Sequence, residues 1–208
     1  MMAMLRAERV VVTRGRGGLR KPMSFSLAEG QALIVRGGDG SGKTTLLKAI
    51  AGIVNHGGII TYCQSDSGQP CSLDERRQAC GVSLETLFWP GYTVSQTLVN
   101  QCWLYGIKGD INAILKQLDI VYLSEQSTEV LSTGESMRLS VARALVTSPS
   151  ILILDEPERG LDSQSFTIIS EAIRVFLASG GIAVVATHLA DWQIDAPIVV
   201  DCGSVEKG

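Results

Sequence analysis

Ala32-Leu33-Ile34-Val35-Arg36-Gly37-Gly38-Asp39-Gly40-Ser41-Gly42-Lys43-Thr44-Thr45 is the stretch on which the reading of this chain turns. Its first four residues form a short apolar run that reads as a buried strand, and Lys43 to Ile53 carries helical period. Strand, glycine loop and helix in this order are the context that a phosphate-binding loop requires. Glycine lets backbone amides converge on phosphate oxygens with no Cβ in the way, and the following helix adds the positive end of its dipole. Lys43 then reaches the β- and γ-phosphates, and the hydroxyl of Thr44 is placed for Mg2+. Asp39 reads as an outward-pointing turn residue. The candidate nucleotide-binding residues are Gly37, Gly38, Asp39, Gly40, Ser41, Gly42, Lys43, Thr44 and Thr45.

A second stretch complements the first. Ile151-Leu152-Ile153-Leu154-Asp155-Glu156-Pro157 is an apolar strand that ends in two acids. Adjacent carboxylates at the end of a buried strand need compensation, because burying uncompensated charge is costly. Mg2+ and a nucleotide supply it. Side chains alternate along a strand, so the two acids point differently: Asp155 suits the metal shell, and Glu156 suits polarising water for attack on the γ-phosphate.

Working outward, short β-rich runs bounded by glycine recur at Val10–Val12, Phe25–Leu27, Ala32–Val35 and Ile59–Tyr62. Later runs at Ile151–Leu154, Ile182–Ala186 and Ile198–Val200 lack polar alternation, which fits a parallel sheet covered on both faces. The early strands read as an antiparallel edge and the later ones as α/β units. Helical period appears in Ser136–Val146 and in Ser163–Leu177, where Phe166, Ile169, Ile173 and Phe176 share a face. Val94 to Leu123 reads as a helical insert with breaks at Gly106 and Gly109 and no strand. Residues 63–80 read as irregular or partly helical.

Composition narrows the classes. The 208 residues suit one domain of ordinary core size. Glycine, at 22 residues, exceeds the usual ~7%, while the 19% charged share lies below the usual ~25%. Mean hydropathy is +0.21, yet no aliphatic run approaches the roughly 20 residues that a spanning helix needs. A net charge of −3 argues against a nucleic-acid partner. A local basic bias at the N-terminus (Arg6, Arg9, Arg14, Arg16, Arg20, Lys21) has no apolar signal-peptide core behind it. Five cysteines without a CxxC pair read as reduced thiols in a cytosolic compartment.

Together these residues resemble the ATP-binding-cassette (ABC) ATPase family, over essentially the whole chain. Leu131-Ser132-Thr133-Gly134-Glu135-Ser136-Met137-Arg138 looks like the family's LSGGQ signature and the arginine after it, with Thr133 in place of the first glycine of the pair. Ser132 offers a hydroxyl and Gly134 an unobstructed amide at the start of a helix, a second anion site. The resemblance implies that this site contacts the γ-phosphate bound by the other subunit of a head-to-tail dimer. Arg159-Gly160-Leu161-Asp162 resembles the D-loop, with Asp162 across the dimer seam, and His188 resembles the switch histidine that contacts the γ-phosphate. Two features depart from the family pattern. The stretch Gly81 to Phe88 has no glutamine at the junction with the helical subdomain, where Glu85 is the candidate metal-side residue. The aromatic residue that stacks on adenine is also missing, leaving Arg14 or Arg16 to stack through a guanidinium.

The resemblance implies an α/β, P-loop NTPase fold of the ABC type. The expected arrangement is a single domain over 1–208, with an antiparallel β edge and a small helical subdomain at about 85–145. It implies a motor that binds ATP and Mg2+, hydrolyses ATP with Glu156 as base and His188 as switch, and drives separate integral membrane permease subunits. Peripheral attachment to the cytoplasmic face of the inner membrane follows. Short cassettes of this profile resemble the ATP-binding subunit of the haem exporter used in cytochrome c maturation. Two rivals belong to other classes. One is a soluble ABC ATPase acting on nucleic acid or ribosomes, disfavoured by the absence of coiled-coil heptads and of a basic surplus. The other is an ABC regulator with impaired hydrolysis, which the missing glutamine keeps open.

Overall fold

A computed structural model describes residues 4–14, 17–18, 21–63, 70–189, 192, 194 and 196–203. In chain order the strands are β1 (Met4–Val11), β2 (Thr13–Arg14), β3 (Gly17–Gly18), β4 (Met23–Ala28), β5 (Ala32–Arg36), β6 (Gly57–Cys63), β7 (Cys80–Ser83), β8 (Ile151–Asp155), β9 (Ile182–Ala186) and β10 (Ile198–Asp201). The helices are α1 (Lys43–Ile50), α2 (Leu73–Ala79), α3 (Val94–Leu104), α4 (Ile111–Gln117), α5 (Thr133–Leu145) and α6 (Ser163–Ala178), with short 3-10 turns at Val121–Leu123 and Thr128–Val130.

A five-stranded parallel sheet, in the order β10-β5-β9-β8-β7, forms the centre. Along its inner strands, residues alternate between two cores. Ala32, Ile34, Leu152, Leu154, Ala183 and Val185 pack with buried residues of α3, α5 and α6. Leu33, Val35, Ile151, Ile153, Ile182, Val184 and Ala186 pack instead with α1 and the antiparallel strands. Burial on both faces is the reason these runs carry no polar alternation. A separate antiparallel sheet, β4-β1-β6, covers the α1 side, and its strand β4 alternates buried and exposed residues.

Several expectations change in detail. Ala32–Val35 lies inside the parallel sheet, between β10 and β9, rather than on an antiparallel edge. Ile198–Val200 belongs to an edge strand and alternates in burial. Helix α1 stops at Ile50, not Ile53, because Gly52 enters the left-handed region at φ 72° and the Ile53 N–H turns back to Lys48 O. Helix α5 starts at Thr133, three residues before the expected Ser136, because Ser132 and Glu135 form a capping box. Within 63–80, Leu73–Ala79 is helical under a second capping box, Ser72 with Glu75. The unexpected element is β7, which pairs in parallel with β8 and completes the sheet edge. Among the described residues no helix is long and apolar enough to cross a membrane.

Candidate active site

The loop after β5 leaves the first amides of α1 open. Gly42 caps the helix at φ 99°, and no side chain bonds back to the first turn. The orphan N–H groups and the positive end of the helix dipole are a fit for anionic oxygens. Ser41 is buried beside them with an unpartnered hydroxyl. Lys43 is only 5% exposed. Its ammonium donates to Gly37 O at 2.9 Å and lies 3.2 Å from His188 Nε2 and 3.4 Å from Glu156 Oε1.

The two acids at the end of β8 diverge. Asp155 Oδ2 accepts a 2.6 Å hydrogen bond from the Thr44 hydroxyl, while Oδ1 is buried without a partner. Burial raises this carboxyl above the usual aspartate range; the Thr44 hydroxyl opposes that rise and the charge of Glu156 adds to it. A hydroxyl, a carboxylate and an orphaned oxygen are hard donors that fit Mg2+. When bound, the ion would neutralise phosphate charge.

Glu156 sits at φ 47° and donates its N–H to Ala186 O of β9 at 2.8 Å. A non-glycine residue in this region costs on the order of 1–2 kcal/mol. The conformation delivers its carboxylate to three cations or donors. Oε1 lies 2.7 Å from His188 Nε2 in addition to its approach to Lys43, and Oε2 lies 3.6 Å from the guanidinium of Arg159.

These groups share one cleft. Asp39, Thr44, Glu85, Asp155, Glu156 and Arg159 line it, together with Thr133, Met137 and Gly160. Glu85 is therefore brought to the same space as Thr44 and Asp155. Asp39 is 96% exposed, but its Oδ1 lies 3.4 Å from His188 Nε2, so the side chain faces the site rather than outward. Arg16 and the side chain of Arg14, the candidates for stacking on adenine, lie outside the described residues.

The signature segment is organised differently from the phosphate loop. The Ser132 hydroxyl accepts from the Glu135 N–H at 3.3 Å, and the Glu135 carboxylate accepts from the Ser132 N–H at 2.8 Å. The bond from the Ser132 amide holds the Glu135 carboxyl below its usual range. Gly134 is buried where a Cβ would come within 2.5 Å of Ser165 Oγ and 3.5 Å of Asp162 Oδ2. Asp162 itself caps α6, accepting from the Ser165 N–H at 2.6 Å. The missing side chain of Gly134 thus lets α5 pack on the start of α6.

Sequence reasoning passed over Glu158. Its Oε1 accepts from the Thr187 hydroxyl at 2.5 Å and from the His188 N–H at 3.1 Å. The available signal was a third acid two positions after Glu156, in a turn leading away from a buried strand.

A parallel sheet with a glycine-rich loop after β5, paired acids at the end of β8 and a histidine after β9 has the arrangement of a nucleotide-hydrolysing cassette. A model of the ABC transporter family matches residues 20–159. The chain belongs to that family, as an ATP-binding ATPase cassette. It is 32% identical over 189 residues to the cytochrome c biogenesis ATP-binding export protein CcmA of Rhodobacter capsulatus, covering 90% of this chain and 82% of that protein. To the CcmA of Roseobacter denitrificans it is 34% identical over 189 residues, covering 90% and 85%. Among solved structures, a bacterial ABC transporter cassette described as dimeric superposes with a TM-score of 0.77 at 21% identity, covering 98% of this chain and 97% of that one.

Proposed function

We propose that this cassette hydrolyses ATP with Glu156 as general base and His188 as its partner at the γ-phosphate. It would drive an export step of cytochrome c biogenesis with haem as cargo. The observation that carries the catalytic part is the 2.7 Å contact between Glu156 Oε1 and His188 Nε2, beside the Lys43 ammonium. On this reading, nucleotide draws Lys43 to the β- and γ-phosphates and His188 to the γ-phosphate. Glu156 then accepts a proton from the water whose oxygen bonds phosphorus as the bond to ADP breaks. Thr44 and Asp155 would hold Mg2+, with Glu85 lining the same cleft.

Two such chains would meet head to tail, each placing Ser132, Gly134 and Asp162 against the nucleotide of the other. The relatives' printed name supports the export assignment. Membrane permease subunits would dock on the helical subdomain at about 85–145, where Leu87, Trp89, Val99 and Trp103 are exposed. On this reading the protein would work at the cytoplasmic face of the inner membrane. No nucleic-acid partner is expected at a net charge of −3.

The test is Glu156→Gln. Nucleotide binding should persist, turnover should fall about 100-fold or more, and gel filtration with ATP should reveal a trapped dimer. Turnover at the unsubstituted rate would overturn the assignment of the base.

A further inference from the structure

Glu158 and the residues it holds join the two loops that carry the reactive pair. Strands β8 and β9 are parallel neighbours, with Asp155 opposite Ala186. Glu156 follows one strand and His188 the other. Near the last rung of the ladder, where the Glu156 N–H meets Ala186 O, Glu158 adds a side-chain link between the loops. Its Oε1 receives both the Thr187 hydroxyl and the His188 N–H. The Thr187 hydroxyl also accepts the Leu189 N–H at 3.0 Å. One carboxylate oxygen thus organises three successive residues of the switch loop, and Thr187 beneath it is fully buried.

The other oxygen, Oε2, is buried without a hydrogen-bond partner, and Glu158 makes no ion pair among the described residues. A carboxylate half satisfied in this way is costly. A simple turn does not need one. What it provides is two hydrogen bonds to one oxygen, from the Thr187 hydroxyl at 2.5 Å and from the His188 N–H at 3.1 Å.

We propose that Glu158 is a positioning residue for hydrolysis. It fixes the His188 backbone, directly and through Thr187, so that the imidazole meets Glu156 in one geometry. The proposal rests on the reading above that Glu156 and His188 act in hydrolysis. Misplacing a reacting group by about 1 Å can cost up to about 100-fold in rate, so a carboxylate that acts through Thr187 and the His188 backbone can govern turnover.

The experiment is a double-mutant cycle in steady-state ATPase assays on the full chain, with ATP affinity and thermal melting measured in parallel. Glu158→Ala should lower kcat about 10-fold while KM for ATP moves less than about threefold. Glu158→Gln keeps an acceptor oxygen and should recover to within about threefold of the unsubstituted rate. Thr187→Val, which removes the hydroxyl donor, should lower kcat without adding to the effect of Glu158→Ala. In a His188→Ala background the Glu158→Ala cost should vanish, because groups that act as a unit are not additive. An equal cost in both backgrounds overturns the positioning role. So does a Glu158→Gln variant as slow as Glu158→Ala. If Glu158→Ala does not fold, Thr187→Val in the two His188 backgrounds gives the same decision. His188→Ala with full turnover would overturn the reading of the switch itself, an outcome distinct from failure of the cycle.

Discussion

Asp155 ends a fully buried strand run, and its carboxyl is raised chiefly by that burial. In the unfolded chain it titrates near the ordinary aspartate value, so between that value and its folded one the folded state holds more proton. Stability from this group is therefore greatest in acid and declines as pH rises through the folded pKa. Buried and with Oδ1 orphaned, the carboxyl is a growing liability to the nucleotide-free fold as pH rises. Asp155→Asn keeps an acceptor for the Thr44 hydroxyl and removes the charge. The nucleotide-free variant should melt roughly 2–4 °C higher at pH 7, and the extra stabilisation that Mg2+ adds to ATP should disappear. Melting curves with ATP, with and without Mg2+, check both, and an undiminished Mg2+ effect would count against Asp155 as a ligand. Lys43 gives the companion case on the phosphate side. Its charged hydrogen bonds to phosphate are worth about 1.5–3 kcal/mol each, so Lys43→Ala should weaken ATP binding roughly 10- to 100-fold. Titration calorimetry reads this directly; unchanged affinity would speak against the loop assignment.

Among the elements, the joint between α5 and α6 is where the signature segment and the D-loop segment touch within one chain. Thr133 Cγ2 lies 3.3 Å from where a Cβ on Gly160 would stand, and Gly134 is closed in by Ser165. Gly134→Ala should force the start of α5 off α6, with a loss of about 1–3 kcal/mol typical of overpacking. Ser165→Ala, by deleting the Oγ that the new methyl meets first, should restore a large part of it. Thermal melting of the single and double variants tests the pair, and equal melting temperatures for Gly134→Ala in both backgrounds would refute the contact. The starts of α5 and α3 are written in local chemistry, Ser132 with Glu135 and Thr93 with Gln96, because a capping box needs only four consecutive residues; apolar period alone put the start of α5 at Ser136, three residues late. Strand β7 is written nowhere locally. Cys80-Gly81-Val82-Ser83 has neither alternation nor a β-branched run, and becomes a strand by pairing with β8 and packing Gly81 against the Ala144 carbonyl. Glu158 escaped notice for a related reason: its importance lies in Thr187 and His188, some thirty residues away in sequence.

For the molecule as a whole, an apolar excess in a chain with no membrane-crossing helix among its described residues has two destinations. Most of it fills the two cores on either face of the parallel sheet. Much of what remains exposed lies on the helical subdomain at about 85–145, where Trp103 is 75% and Trp89 67% exposed. Val99 and Trp103, one helical turn apart, share a face of α3. Large exposed apolar groups concentrated on one subdomain fit an interface more readily than a solvated surface. They contribute little to the fold itself, since α3 is anchored by Val94, Leu98 and Cys102 on its buried side. Replacing Val99 and Trp103 together by serine should therefore leave stability within about 1 kcal/mol, as two surface changes of at most about 0.5 kcal/mol each. The KM for ATP should be unaltered, because neither residue lines the nucleotide cleft. What should change is partnership: after expression in cells that hold the membrane subunits, the variant should lose co-sedimentation with membranes that the unsubstituted chain retains. Undiminished sedimentation, with intact melting and ATP binding, would place the docking surface elsewhere than on this face of α3.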